Sequence, residues 1–116
     1  MGHLVVYLGD LPDAPTEAAA HFFSKHAPEA RELLLVGGWK RLGRSEEPDA
    51  LTYIIPFGGR EHEAWQRAAI QTLARELAPK RVNGVIGDGL ELTDQVTAWL
   101  GDARGITGQL LSVQTG

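Results

Sequence analysis

The residues whose side chains could best take part in catalysis lie near the middle of the chain. Glu61, His62 and Glu63 are consecutive, and a histidine between two carboxylates could work as an acid/base pair. Arg67 follows Glu63 by four residues, so on a helix these two side chains would share a face and form an ion pair. Asp88 stands between two glycines after a predicted strand and could contact a ligand. These five residues form the candidate pocket.

A plainer interpretation of the same residues is available, and we favour it. Acidic side chains at the start of a helix are stabilised by the helix dipole and are usually solvated, which accounts for Glu61 and Glu63. The Glu63–Arg67 pair would be worth only a few tenths of a kcal/mol, about the usual value for such a surface pair. Asp88 between glycines is typical of a turn.

Few side chains in this sequence could bind a metal ion. There is no cysteine, so a metal ion would need histidine and carboxylate ligands. His21 and His26 are five residues apart and do not share a face of an α-helix. The sequence therefore predicts no metal site.

Length and charge restrict the class of protein and its partners. A chain of 116 residues predicts one domain spanning 1–116. The net charge of −4 offers no basic surface for nucleic acid or an anionic membrane, so we expect neither as a partner. The apolar run at 4–8 is too short for a signal peptide or a membrane span, and we expect a cytoplasmic protein.

Apolar runs and helical stripes alternate along the chain. Thr16 is a candidate cap for the first helix, and a strand at 33–38 is the alternative to helix in the second. The resulting order is β-αα-β-α-β-α-β, which predicts right-handed crossovers and a small parallel sheet of about four strands, a truncated Rossmann-like or flavodoxin-like α/β fold. The predicted strands are 4–8, 50–55, 82–86 and 109–113, and the predicted helices are 17–25, 29–42, 61–78 and 93–100.

Two segments carry a resemblance to a known family. Residues 73–85 read LARELAPKRVNGV and residues 106–113 read ITGQLLSV. In that order, with a short helix between them, they resemble the C-terminal half of short-chain dehydrogenases/reductases. The first resembles the passage from the family's catalytic helix into the next strand, and the second resembles its last strand.

The departures from that family concern its cofactor and its chemistry. The family needs a glycine-rich turn after its first strand, whereas the turn at 9–13 here has one glycine and a proline. The alignment puts Glu63 at the family's tyrosine, Arg67 at its lysine, and Phe57 or Gly58 at its serine. We therefore expect a chain without the cofactor-binding half, with no catalytic residue of the family and no cofactor.

The helix at 61–78 is the predicted oligomer interface. Crossovers of one hand that step in one direction would place every helix on one face of the sheet and leave the other face to be covered. Trp65 offers a large apolar surface, while Ala64, Ala68 and Ala69 allow a second helix to approach closely. In the family that the chain resembles, this helix pairs with its copy across a two-fold axis.

The preferred interpretation is a non-catalytic, dehydrogenase-like domain that serves as a structural or oligomerisation partner. It would form a homodimer, or a hetero-oligomer with a related reductase or an acyl-processing assembly. One alternative is a small enzyme with a new acid/base pocket at Glu61, His62, Glu63 and Asp88. Another is one half of a two-chain NAD(P)-dependent reductase.

Overall fold

The protein is an α/β fold built from alternating strands and helices. The computed structural model describes residues 2–87 and 91–113, without the side chains of residues 91 and 92. The predicted element order is confirmed. The strands are β1 (Gly2–Tyr7), β2 (Pro48–Ile55), β3 (Arg81–Ile86) and β4 (Leu110–Ser112), and the α-helices are α1 (Pro15–His21), α2 (Ala27–Leu35), α3 (Glu63–Glu76) and α4 (Glu91–Asp102).

The four strands form one parallel sheet in the order β1-β2-β3-β4. Leu4 pairs with Leu51, and Leu51 pairs with Val82, so these three residues point to the same side of the sheet. The small, four-stranded parallel sheet with helices confirms the predicted Rossmann-like α/β class. None of the helices in ranges 2–87 and 91–113 has the length and hydropathy that a bilayer span needs.

One face of the sheet carries the main hydrophobic core. Helices α1 to α3 lie over this face, where Tyr53 is buried against Phe22 with the ring centroids 5.3 Å apart. The helices bury the apolar stripes that the sequence pattern predicts. The aliphatic residues at the centre of this cluster are Leu4, Leu8, Leu34, Leu51, Ile55, Ile70, Leu73, Leu77 and Val82.

Helix α4 lies on the opposite face, and this corrects the prediction that all helices share one face. His3 and Arg81 alternate with the core-facing residues of their strands and therefore point to the other side. There Gly101 packs against the His3 ring, and Arg81 donates to the Leu100 carbonyl oxygen at 3.1 Å. Since every strand steps in the same direction, the β3-α4-β4 crossover has the opposite hand to the first two.

The prediction of one helix over 29–42 is wrong, as is the alternative strand at 33–38. Helix α2 ends at Leu35, and a separate 3₁₀ turn spans Gly38–Leu42. Gly37 separates them with φ of 94°, a left-handed conformation that glycine adopts without steric cost and that ends α-helices. The predicted Thr16 cap is also wrong, because α1 begins at Pro15 and has no side-chain cap.

A π-helical turn joins α1 to α2. The five residues Phe22–His26 adopt it, so the helical path runs from Pro15 to Leu35 without a break. Pro28 suits the first turn of a new helix, because that turn needs no hydrogen bond from its N–H. Pro28 occupies the second position of α2, directly after the wider π turn, so this prediction is confirmed.

Candidate functional site at the carboxyl edge of the sheet

Among the described residues, two cavities open at the carboxyl ends of the strands, where parallel sheets usually bind ligands. The first, of about 350 Å³, lies between the loops that follow β1 and β2. The second, of about 310 Å³, lies between the loop after β2 and the ends of β3 and β4. Gln66, on α3, lines both cavities, as do Phe57 and Gly58. The first turn of α3 and the loop before it therefore form the shared wall.

His62 lies in the wall of the first cavity and is 4% exposed. The indole Nε1 of Trp65 donates to its Nδ1 at 3.0 Å, and its Nε2 lies 2.8 Å from the carbonyl oxygen of Asp13. Because an indole N–H only donates and a carbonyl only accepts, Nδ1 is unprotonated and Nε2 carries the proton. His62 is thus a neutral side chain with both ring nitrogens used, and it connects the loop after β1 to the start of α3.

The carboxylates beside His62 are at the surface. Glu61 is exposed at the rim of the first cavity, and its carboxylate lies against Gly59, whose φ is 116°. Glu63 is exposed at the second cavity and accepts from Arg67 Nη2 at 2.9 Å. This contact is the ion pair predicted from the spacing of four residues. Glu61 and His62 therefore share the first cavity, whereas Glu63 lies at the second cavity and is paired with Arg67.

Asp88 lies outside the described residues. Its place in the candidate pocket therefore stays a prediction from the sequence, and Gly87, directly after β3, is the last described residue before it.

The four residues predicted for an oligomer interface divide into two groups. Ala64 and Ala68 are exposed on the outer face of α3. Ala69 is 1% exposed and belongs to the core, while Trp65 is half-buried and packs on Phe22 with the ring centroids 5.8 Å apart. An interface on this helix would therefore use Ala64 and Ala68, since Ala69 is out of reach of a second protomer.

The structure brings together a cluster that the sequence pattern does not predict. Asp10, in the loop after β1, accepts from Lys25 Nζ at 2.7 Å. Its two carboxylate oxygens each lie 2.9 Å from a histidine Nε2, one from His21 and one from His26. The hydrogen bonds from His21, then Lys25 and His26, hold the pKa of Asp10 well below its usual range.

The expectation that His21 and His26 lie on different helix faces is wrong. Their ring centroids are 5.4 Å apart. The expectation assumes α-helical spacing, in which residues five apart diverge, whereas a π turn bonds residues five apart and stacks them. The signal in the sequence is the proline two residues after His26, which disfavours a regular α-helix at that point.

A comparison with family models identifies the chain. The model for short-chain dehydrogenase-like proteins matches residues 6–113. The chain belongs to this short-chain dehydrogenase-like family. No curated protein and no solved structure gives a significant match.

The match to the short-chain dehydrogenase-like family model covers nearly the whole chain, whereas the two motifs that resemble the family in the sequence lie in its second half. The positions that the alignment gives to the family's tyrosine and lysine hold the surface ion pair of Glu63 and Arg67, with side chains 53% and 45% exposed. The position of the serine falls at Phe57 or Gly58, in the wall between the two cavities. On this alignment, the residues at the three positions differ from the family's tyrosine, lysine and serine.

Proposed function

We propose that this chain is a non-catalytic, dehydrogenase-like domain that works as an assembly partner, of itself or of a related reductase. The observation that carries the proposal is the use of His62. This imidazole is the histidine in the wall of the first cavity, yet Trp65 and the Asp13 carbonyl occupy both of its nitrogens. Moving a proton through it would break a buried contact that connects two loops.

The remaining candidates at this edge support the same conclusion. Glu63 and Arg67 neutralise each other at the surface, at the positions where the family has an activated tyrosine and its lysine. A phenol transfers a proton near neutral pH only when its pKa is lowered, and a carboxylate beside a guanidinium offers no equivalent group. The chain thus has the strands and the helix that surround the family's site, while the side chains at this edge make hydrogen bonds and ion pairs within the fold.

The outer surfaces of α2 and α3 are the proposed assembly surface. Arg31 of α2 donates to Glu76 of α3 at 2.6 Å, so the two helices present one continuous surface. Ala64 and Ala68 leave room on it for a second helix, and Leu35 is 51% exposed at its α2 side. A surface of this kind suits a two-fold contact between like helices.

The proposal predicts no binding of NAD or NADP. No turn in the sequence has the glycine spacing that lets the backbone approach a pyrophosphate at a helix N-terminus. Calorimetric titration of either nucleotide into the protein should give no saturable heat, while an active reductase of the family gives the positive control. Saturable binding at micromolar concentration, about −8 kcal/mol, would contradict the proposal.

Restoring the family's proton-transfer residues should not restore activity. In the double variant Glu63→Tyr/Arg67→Lys, proton transfer would contribute only about 10²–10⁴-fold, and a nicotinamide must still be positioned for hydride transfer. We expect no NADPH oxidation with a β-ketoacyl substrate, measured beside the single variant Arg67→Lys as a folded control. Turnover above this control would show that the cofactor site is intact.

The exposed edge of β1 supports the two-chain reductase as a second candidate. β1 is an outer strand of the sheet, and its side chains Val5 and Tyr7 are 47% and 59% exposed. A strand from another chain could pair with this edge and extend the sheet. Nucleotide binding by a complex with a second chain, and not by this chain alone, would favour this candidate.

A further inference from the structure

A carboxylate and two imidazoles converge on one point next to the loop after β1. One ligand atom from each of Asp10, His21 and His26 can be chosen so that all three lie within 4.8 Å of one another. The π turn Phe22–His26 creates this arrangement by placing the two histidines one above the other. π-Helical residues amount to well under 1% of residues in globular proteins, and such turns are frequent at functional sites.

We propose that Asp10, His21 and His26 form a binding site for a divalent first-row transition metal of the zinc class. Two imidazoles and one carboxylate are the ligands that zinc and related ions take in proteins, with the remaining position left to water. The site goes beyond the assembly role proposed above and does not depend on it.

The distances in the cluster are close to those of a metal site. Zinc binds imidazole nitrogen and carboxylate oxygen at about 2.0–2.2 Å, so neighbouring ligand atoms of a tetrahedral site lie roughly 3.3 Å apart. Both Nε2–carboxylate distances are 2.9 Å, each to a different oxygen of Asp10, and the three ligand atoms lie within 4.8 Å of one another. Side-chain rotations of about an ångström would therefore bring the three groups to the spacing that an ion needs. A carboxylate only accepts hydrogen bonds, so each Nε2 that bonds Asp10 now carries a proton. A bound ion would take the place of that proton on each Nε2.

The buried position of His26 fixes one ligand of the site. The side chain is 6% exposed, and its Nε2 is directed at Asp10 at 2.9 Å. An imidazole that packing already holds in place loses little further conformational freedom when it binds an ion.

Lys25 is the competitor for the site. Its ammonium lies 2.7 Å from the Asp10 oxygen that also contacts His21, and a positive charge there opposes a metal cation. The side chain is 53% exposed, so it can move into solvent when the ion binds. The metal would then hold the loop after β1 to the helical path of α1 and α2.

Titration of Zn²⁺ into tag-free, chelator-treated protein tests the site. We expect one ion per chain in the wild type, with affinity lowered more than about 100-fold in His21→Ala, beyond the 10–100-fold loss usual for a change outside the ligand shell. His3→Ala, which removes a histidine at the other end of β1, is the matched control and should bind as the wild type does. Equal affinity of the wild type and His21→Ala, or no binding by the wild type, would overturn the proposal.

A second variant keeps the test valid if His21→Ala does not fold. Lys25→Met retains all three ligands and removes the competing ammonium, so Zn²⁺ should bind about two- to fivefold more tightly, the range that an exposed ion pair is worth. If the cluster were only a network of hydrogen bonds and ion pairs, Lys25→Met would lower stability without increasing Zn²⁺ affinity. That result would also overturn the proposal.

Discussion

Replacing Arg81 by methionine is expected to lower the free energy of unfolding by about 3 kcal/mol. The Arg81 guanidinium is buried under the end of α4, where it donates to the carbonyl oxygens of Leu100 at 3.1 Å, Gly101 at 3.1 Å and Ala103 at 2.8 Å. The last carbonyls of a helix have no partner within the helix, and they form the negative end of its dipole. Methionine fills similar space but leaves the Leu100 and Gly101 carbonyls without the guanidinium donor, while the Ala103 carbonyl keeps only its bond from the Ile106 N–H.

Urea unfolding of the wild type and Arg81→Met measures this loss. Arg60→Met is the matched control, because Arg60 is exposed before α3, outside the proposed assembly surface, and the same substitution there should change stability by less than about 0.5 kcal/mol. A loss below about 1 kcal/mol in Arg81→Met would mean that water replaces the guanidinium at the end of α4.

Arg81 also shows what the sequence could and could not predict about the fold. Arg81, Val82 and Asn83 indicate the start of a strand and the family to which the chain belongs, and both conclusions are confirmed. Their contacts are long-range: Asn83 donates to Ile106 and accepts from Gln109, more than twenty residues away. A periodic pattern identifies a buried face but not which element covers it, so the position of α4 on the opposite face was not predictable.

The candidate site was also predictable only in part, because some of its contacts follow from regular helical spacing and others depend on the tertiary fold. The Glu63–Arg67 pair depends on regular α-helical spacing, and the prediction is confirmed at 2.9 Å. The His21–His26 pair depends on a π turn, which no pattern of apolar residues indicates. The structure places His62 in the wall of the first cavity, and its hydrogen-bond partners Trp65 and Asp13, which the sequence does not indicate, decide its chemistry.

The substitution Ala68→Glu should dissociate an assembly formed through α3. Ala68 is exposed on the outer face of this helix, beside Arg67 and away from the core. In a two-fold contact each residue occurs twice, so the variant brings two carboxylates into one desolvated interface. The cost of burying charge without a partner is several kcal/mol, and we expect the dissociation constant to rise by at least about 100-fold, which corresponds to about 2.7 kcal/mol.

Sedimentation equilibrium of the wild type, Ala68→Glu and Ala98→Glu tests the proposed assembly role most directly. Ala98 is an exposed alanine on α4, so Ala98→Glu makes the same change in helix propensity and charge on the other face of the sheet. We expect the wild type and Ala98→Glu to be dimers at micromolar concentration and Ala68→Glu to be a monomer. A wild type that stays monomeric at high micromolar concentration, or an Ala68→Glu dimer as tight as the wild type, would contradict assembly through α3.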